Sequence, residues 1–165
     1  MGERGGLIVK PQIAYRELKG YKYQLAETYR IRLGPEFNIE RRIQHPASAA
    51  AMEEVIVVEG PLKDGEALLI VRKGYAWDGP SGPTVDTKNF MRGSLVHDAL
   101  YQLMREGLLS RDLRDEADKL LRRICIEDGM SAVRAWIVYQ GVHRFASFAV
   151  AAKAEEPQDR IVVAP

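Results

Sequence analysis

His97 and Asp98 are the adjacent residues whose types and position in this sequence most strongly suggest chemistry. Both fall within residues 88–105, where apolar side chains recur with helical spacing. Successive residues on a helix point about 100° apart, so the pair can serve two adjacent functions but cannot grip one atom. Tyr101 follows four residues after His97, on nearly the same face. An imidazole beside a carboxylate and a phenol is typical of a hydrolytic site in which histidine acts as a general base.

Asp118 is the predicted partner of His97. A turn signal at Gly107 separates the first helix from a second, for which Ser110 is a suitable N-cap. Residues equidistant from the turn of an antiparallel αα-hairpin face each other, and His97 and Asp118 nearly meet that condition. A facing carboxylate would fix the histidine tautomer and leave the other ring nitrogen free to take a proton from water. Tyr101 is placed to donate its hydroxyl to Asp118, which would offset part of the cost of burying that carboxylate.

A metal site is predicted between Asp98 and the loop that precedes the first helix. Residues 77–83 are rich in glycine and proline, which excludes a helix there and exposes backbone carbonyls. Asp78 lies in this loop, and Asp98 points towards it. Carboxylates, carbonyls and water form a hard oxygen site that suits Ca²⁺. Such an ion would stabilise the oxyanion formed when water attacks an ester carbonyl.

The sequence pattern of the strands and helices that must hold these residues predicts an α+β fold. Residues 7–76 are β-rich, residues 77–87 form the site loop, residues 88–152 are helical, and residues 153–165 form a flexible tail. Strand structure is expected within 21–33, and a hairpin is expected from 54–59 and 67–73. Residues 45–52 are Ala-rich, and we expect a loop or a short helical turn there. Three helices follow, the third capped by Ser131 and running to Phe148 or beyond. Its expected core anchors are Trp136, Tyr139, Val142 and Phe145.

The composition argues against some classes of protein but does not identify the function. The 165 residues fit one domain, taken as 1–152, and the formal net charge of +1 with scattered basic residues argues against a dedicated nucleic-acid binder. Cys125 is the only cysteine, which excludes an internal disulfide, and it is expected in the core. No apolar run approaches a transmembrane length, and no signal-peptide pattern is recognisable. We therefore expect synthesis in a cytoplasm, with release on lysis or within a particle.

Three motifs, taken in the order in which they occur along the chain, resemble those of known families. They are KGYAWDGPSGP at 73–83, VHDALY at 96–101 and AD at 117–118. They resemble the phage and prophage family called domain of unknown function 1353, which implies a phage origin but no established activity. They also resemble bacterial and fungal phospholipase A2. That likeness implies His97 as general base, Asp118 as its partner and Tyr101 as a support for Asp118. It also implies Asp78, Asp98 and the Gly79 region as calcium ligands.

Three functions remain open at this point. The first is a phage-borne, calcium-dependent esterase acting on phospholipid at an envelope. The second is a non-enzymatic virion or accessory protein that keeps the His-Asp-Tyr network for packing. The third, hydrolysis of another envelope polymer, ranks lowest because the sequence lacks a zinc cluster or a cysteine-protease pattern. His45 and His143 are interpreted as structural or surface residues, and the basic residues of the third helix as a solvent-exposed face rather than a membrane surface.

Overall fold

Antiparallel strands fill the first half of the chain and three helices fill the second, which confirms the predicted α+β class. The computed structural model describes residues 12–17, 23–48, 51–79 and 87–151. The predicted tail, most of the site loop (80–86) and residues 7–11 lie outside these ranges.

The larger sheet has four strands in the order β3-β6-β5-β4, all antiparallel to their neighbours. Their bounds are β3 Tyr29–Leu33, β4 Ile43–Ser48, β5 Ala51–Glu59 and β6 Ala67–Val71. In β6, alternate residues are buried, so one face of this strand faces the core. The predicted hairpin is confirmed, because β5 and β6 pair with Val58 opposite Leu69.

A three-stranded sheet leads into the site loop. It has the order β1-β2-β7, with β1 at Tyr15–Glu17, β2 at Tyr23–Leu25 and β7 at Ala76–Trp77. Tyr23 pairs with Trp77 in register, and the two rings lie 5.7 Å apart. This sheet therefore fixes the backbone immediately before Asp78.

The expectation for residues 45–52 was wrong. Instead of a loop or helical turn, the chain forms the end of β4 and the start of β5 around residues 49–50, which are not described. The Ala-rich composition has low strand propensity, but pairing along β5 overrides it. The register shifts on both sides of Pro46, as expected where proline interrupts a ladder.

The three helices are α1 Lys88–Arg105, α2 Arg114–Glu127 and α3 Ala132–Ala151, with a 3₁₀ turn at Arg111–Leu113 before α2. The caps predicted for the second and third helices are confirmed. The Ser110 hydroxyl accepts a hydrogen bond from the Asp112 backbone, and Ser131 accepts one from Arg134. Gly107 ends the first helix with a φ of 70°, a conformation that glycine adopts without strain.

One continuous core joins the sheets to α1 and α2. It includes Leu69 and Val71 from β6, Leu95 and Leu100 from α1, and Ile124 from α2. A smaller core lies among the three helices and contains the buried Cys125, as predicted. Burial raises the pKa of this thiol to about 12, which keeps it protonated.

The two helices of the hairpin approach each other closely at Gly93. A Cβ atom at this residue would lie 2.8 Å from Leu121 Cδ1 and 3.0 Å from Cys125 Sγ. Such distances are shorter than ordinary van der Waals contact, so a side chain at residue 93 would require Leu121 and Cys125 to shift at this separation of α1 and α2.

The predicted inward face of α3 was partly wrong. Trp136 is 52% exposed, whereas Ala135 and Val138 are buried against α2 and α1. Val142 packs against the same cluster, as expected, and the side chain of Phe145 lies outside the described part of α3. α3 has apolar residues in more than one helical phase, and the small Ala135 allows the closer approach. Packing therefore turns the larger tryptophan outwards.

Candidate functional site

α1 presents three of the predicted site residues from its middle turns. His97 and Tyr101 are buried, while the Asp98 side chain is partly exposed. The rings of His97 and Tyr101 stack with centroids 4.0 Å apart, as expected for residues one turn apart. The helix therefore holds the imidazole in a fixed orientation against the phenol.

Asp118 on α2 is fully buried and lies against both rings. His97 Nε2 is 2.9 Å from Asp118 Oδ1, and the Tyr101 hydroxyl donates to the same oxygen at 2.7 Å. The first contact was expected from the hairpin, and the second was expected because it offsets part of the cost of burying the carboxylate. Burial and then Asp118 raise the pKa of Tyr101 well above its ordinary value, so the hydroxyl remains protonated and able to donate.

His143 on α3 is the third partner of Asp118, and sequence reasoning missed it. Its Nδ1 lies 3.3 Å from Asp118 Oδ2, the oxygen that His97 and Tyr101 leave open. The ring also stacks on Tyr139, with centroids 5.4 Å apart. The missing signal was the rotation of α3, because only that rotation decides which of its residues face α2.

The hydrogen bond to Asp118 defines the protonation pattern of His97. Nε2 carries the proton that the carboxylate accepts, so in the neutral ring Nδ1 carries the lone pair. Nδ1 lies 3.7 Å from Asp98 Oδ1, beyond direct hydrogen-bond distance. Burial lowers the pKa of His97, but hydrogen bonding to Asp118 and the nearby Asp98 outweigh it, and the net shift is upwards. The ring is therefore a stronger base than a free histidine.

Asp98 lies where negative charge is unfavourable. Burial raises the pKa of its carboxyl group, and the charge of Asp78 adds to that effect. His97 and Arg105 act in the opposite direction, but the net shift remains upwards. Asp78 is thus within electrostatic reach of Asp98, and a cation near both would relieve their repulsion.

The start of the site loop is held against the small sheet and α1. Trp77 Nε1 donates to Ser94 Oγ at 3.2 Å, which ties β7 to the helix one turn before Asp98. Gly79 has a φ of 72°, and a Cβ atom there would lie 2.4 Å from the Tyr23 ring. Glycine is therefore required immediately after Asp78.

The predicted calcium ligands Asp78, Gly79 and Asp98 are all among the described residues, and each has an oxygen atom to offer. Asp78 and Gly79 follow β7, whereas Asp98 is on α1. Within the described ranges, no group of three or more His, Cys, Asp or Glu side chains is arranged to hold a metal ion. Further ligands would have to be backbone carbonyls, water or groups from residues 80–86.

Tyr101→Phe tests the support of Asp118. Removing a hydroxyl that donates to a buried carboxylate should lower the free energy of unfolding by about 1.5–3 kcal/mol. Urea denaturation would measure this change. Tyr139→Phe is the matched control, because its hydroxyl donates at 3.0 Å to Asp115, which is partly exposed. Equal losses in the two variants would show that the Tyr101 hydroxyl does not support a buried charge.

Comparison with known proteins bears on the family alone. No curated protein and no solved structure matches the chain. Among the described residues, no helix is long and apolar enough to cross a membrane. One family model matches residues 54–142, which cover more than half of the chain and include His97, Asp98, Tyr101 and Asp118. Its description is "Protein of unknown function (DUF1353)", and the chain belongs to this family.

Proposed function

We propose that this protein is a calcium-dependent ester hydrolase of phage type, with phospholipid as its substrate. The observation that carries the proposal is the hydrogen bond between His97 Nε2 and the fully buried Asp118. It leaves Nδ1 as the basic atom of the ring, on the side of the partly exposed Asp98. A histidine oriented in this way by a carboxylate is the arrangement that general-base hydrolysis requires.

The residues of the chain would act in two proton transfers. His97 Nδ1 takes a proton from water as the water oxygen attacks the ester carbonyl carbon. Asp118 stabilises the imidazolium that results, and Tyr101 holds Asp118 in place. When the tetrahedral intermediate collapses, the carbon–oxygen bond of the ester breaks. The imidazolium returns its proton to the leaving alkoxide, and the products are a carboxylic acid and an alcohol.

The donor chemistry of Asp78, Asp98 and the Gly79 carbonyl fits calcium. All three offer hard oxygen atoms, and the charge of Asp78 reaches the Asp98 carboxyl group. Calcium bound there would supply Lewis-acid stabilisation of the negative charge on the ester oxygen. Phospholipid is the proposed substrate because the motifs resemble phospholipase A2, and lipid cleavage at an envelope would suit phage entry or release.

Calcium binding and hydrolysis can be tested on the same protein. Calcium at about 100 times its dissociation constant should stabilise the fold by about 2.7 kcal/mol. In a chain of this size that corresponds to a rise in melting temperature of roughly 5–10 °C. Asp98→Asn should abolish the rise, whereas Asp112→Asn, which changes an exposed carboxylate at the start of the second helix, should retain it.

Fatty-acid release from phospholipid vesicles is the second measurement. It should require calcium and should be lost when a chelator is added. A melting shift without fatty-acid release would leave the metal site standing and overturn the esterase. Absence of both would overturn the whole proposal.

One observation favours a second candidate, a non-enzymatic phage structural or accessory protein. Both oxygens of Asp118 are occupied, with His97 and Tyr101 on one and His143 on the other, as in a network that specifies packing. In that case His97→Ala would mainly destabilise the fold. The protein would also be recovered in purified phage particles without fatty-acid release.

A further inference from the structure

The outward side of α3 carries an exposed apolar face, defined here as Val133, Trp136 and Ile137. Their side chains are 72%, 52% and 55% exposed, respectively. They stand three and four residues apart, so they form one contiguous patch on the helix. Large apolar residues grouped on a surface mark an interaction site more often than scattered ones do. We therefore expect this apolar face to bind a partner.

Charge in this part of the chain is strongly one-sided. Between Asp128 and Glu155 the sequence has no acidic residue and three basic ones, Arg134, Arg144 and Lys153. The whole chain has a formal net charge of +1, so taking away these three leaves −2 for the remainder. The apolar face thus lies in the cationic segment of an otherwise slightly acidic protein.

We propose that the apolar face of α3 docks on an anionic phospholipid surface. The exposed tryptophan and aliphatic side chains can enter the apolar part of an interface, and Arg134 and Arg144, the only charged residues of α3, are attracted to anionic headgroups. A second copy of the chain is a poorer occupant, because two such faces would bring like charges together. The helix would lie in the plane of the interface with Trp136 among the lipid headgroups.

Docking in this way would leave α3 between the bilayer and the His97–Asp118 site, because the residues of α3 that pack inwards, Ala135, Val138 and Val142, are on the opposite side of the helix from the apolar face. The helix also contacts the site directly, since His143 Nδ1 lies 3.3 Å from Asp118 Oδ2. Binding itself requires neither calcium nor hydrolysis, so this inference stands apart from the proposed activity.

Tryptophan fluorescence provides a direct test with the full-length protein. The chain has two tryptophans, of which Trp77 is buried and Trp136 is half exposed. Vesicles of phosphatidylglycerol, added in a chelator to prevent hydrolysis, should shift the emission to shorter wavelength. Vesicles of phosphatidylcholine should give a much smaller shift, and high salt should weaken binding. Trp136→Phe should remove the shift, because Trp77 is already in an apolar environment.

Ile137→Glu tests the face itself. Replacing an exposed isoleucine by a charge should leave the fold intact and weaken vesicle binding about tenfold or more. Gln44→Glu is the control, because it adds the same charge at an exposed position on β4. Co-sedimentation with vesicles would measure both variants.

Three outcomes would overturn the proposal. The first is that the wild-type protein does not bind anionic vesicles. The second is that Ile137→Glu and the wild type bind these vesicles equally well. The third is that the protein forms a lipid-free dimer, which Ile137→Glu dissociates, while vesicles have no effect. Vesicle binding in the chelator, with no fatty-acid release when calcium is supplied instead, would support docking and count against the esterase, so failure of one proposal can be told from failure of the other.

Discussion

Replacing His97 by asparagine is expected to lower the rate of ester hydrolysis by about 10²–10⁴-fold. Asparagine keeps a polar side chain of smaller size but has no atom that can accept a proton from water near neutral pH. Calcium-dependent fatty-acid release, measured at saturating and limiting substrate, would give kcat and kcat/KM for both proteins. Both constants should fall together, because the interaction lost is made in the transition state.

The pH dependence of hydrolysis by the wild-type protein provides an independent test of His97 as the general base. The net pKa shift of His97 is upwards from 6.5, so its basic form should appear only at higher pH. The hydrogen bond to Asp118, which is not a proposed calcium ligand, is the first of the causes that raise this pKa, so we expect kcat/KM to rise with pH as the ring loses its proton. Stability should change in the opposite sense. A pKa raised by folding contributes stability that is fully present below the unfolded pKa and is lost as pH rises through the folded one.

His45→Asn is the control for this substitution. His45 bonds Gln102 and Glu106 at the end of α1, and none of its described contacts involves Asp118. It should therefore keep the wild-type rate and pH limb. An active His97→Asn protein would rule out His97 as the base, and so would an equal loss of activity in the two variants.

Asp118→Asn is expected to reduce stability and activity together. The side chain is fully buried and accepts from His97 and Tyr101 on one oxygen, with His143 beside the other. An amide keeps the shape but removes the charge, and it places an NH₂ group where one oxygen accepted a hydrogen bond. Loss of one member of a buried charged network costs about 3 kcal/mol or more. Urea denaturation would measure this loss.

Activity of Asp118→Asn should fall by about 10⁴-fold at a temperature where the variant is still folded. The cause is that an amide no longer selects the tautomer with the proton on Nε2. Asp115→Asn is the matched control, since Asp115 lies one turn earlier on α2, is partly exposed and pairs with Lys119. Its cost should be below about 1 kcal/mol, with little change in rate. If Asp118→Asn were as stable and active as Asp115→Asn, neither the network nor the dyad would matter.

The hairpin that forms the site was predictable because its signals are local. Gly107 stops α1, Ser110 starts the next turn, and helical geometry then decides which residues face each other. The contact between His97 and Asp118 follows from sequence spacing alone. The roles assigned to these residues stay predictions, because geometry does not measure turnover.

Features that depend on packing between distant elements were not predictable. α3 has apolar residues in several helical phases, so the sequence does not indicate whether Trp136 or Ala135 faces inwards. The same ambiguity hid the contact of His143 with Asp118. Likewise, β4 owes its extended form to pairing with β5, which outweighs the composition of residues 45–52.

The contact at Gly93 has a consequence for how the site can evolve. Gly93 lies one turn before His97, and Leu121 lies about one turn after Asp118, so the same hairpin geometry brings them together. A methyl group at residue 93 would force Leu121 Cδ1 and Cys125 Sγ to shift, or else α2 to move, and a movement of α2 would lengthen the 2.9 Å bond between imidazole and carboxylate. A larger residue there should be tolerated only together with a smaller one at 121 or 125. Gly93 has no side chain that takes part in the reaction, yet it limits which substitutions are compatible with an active site.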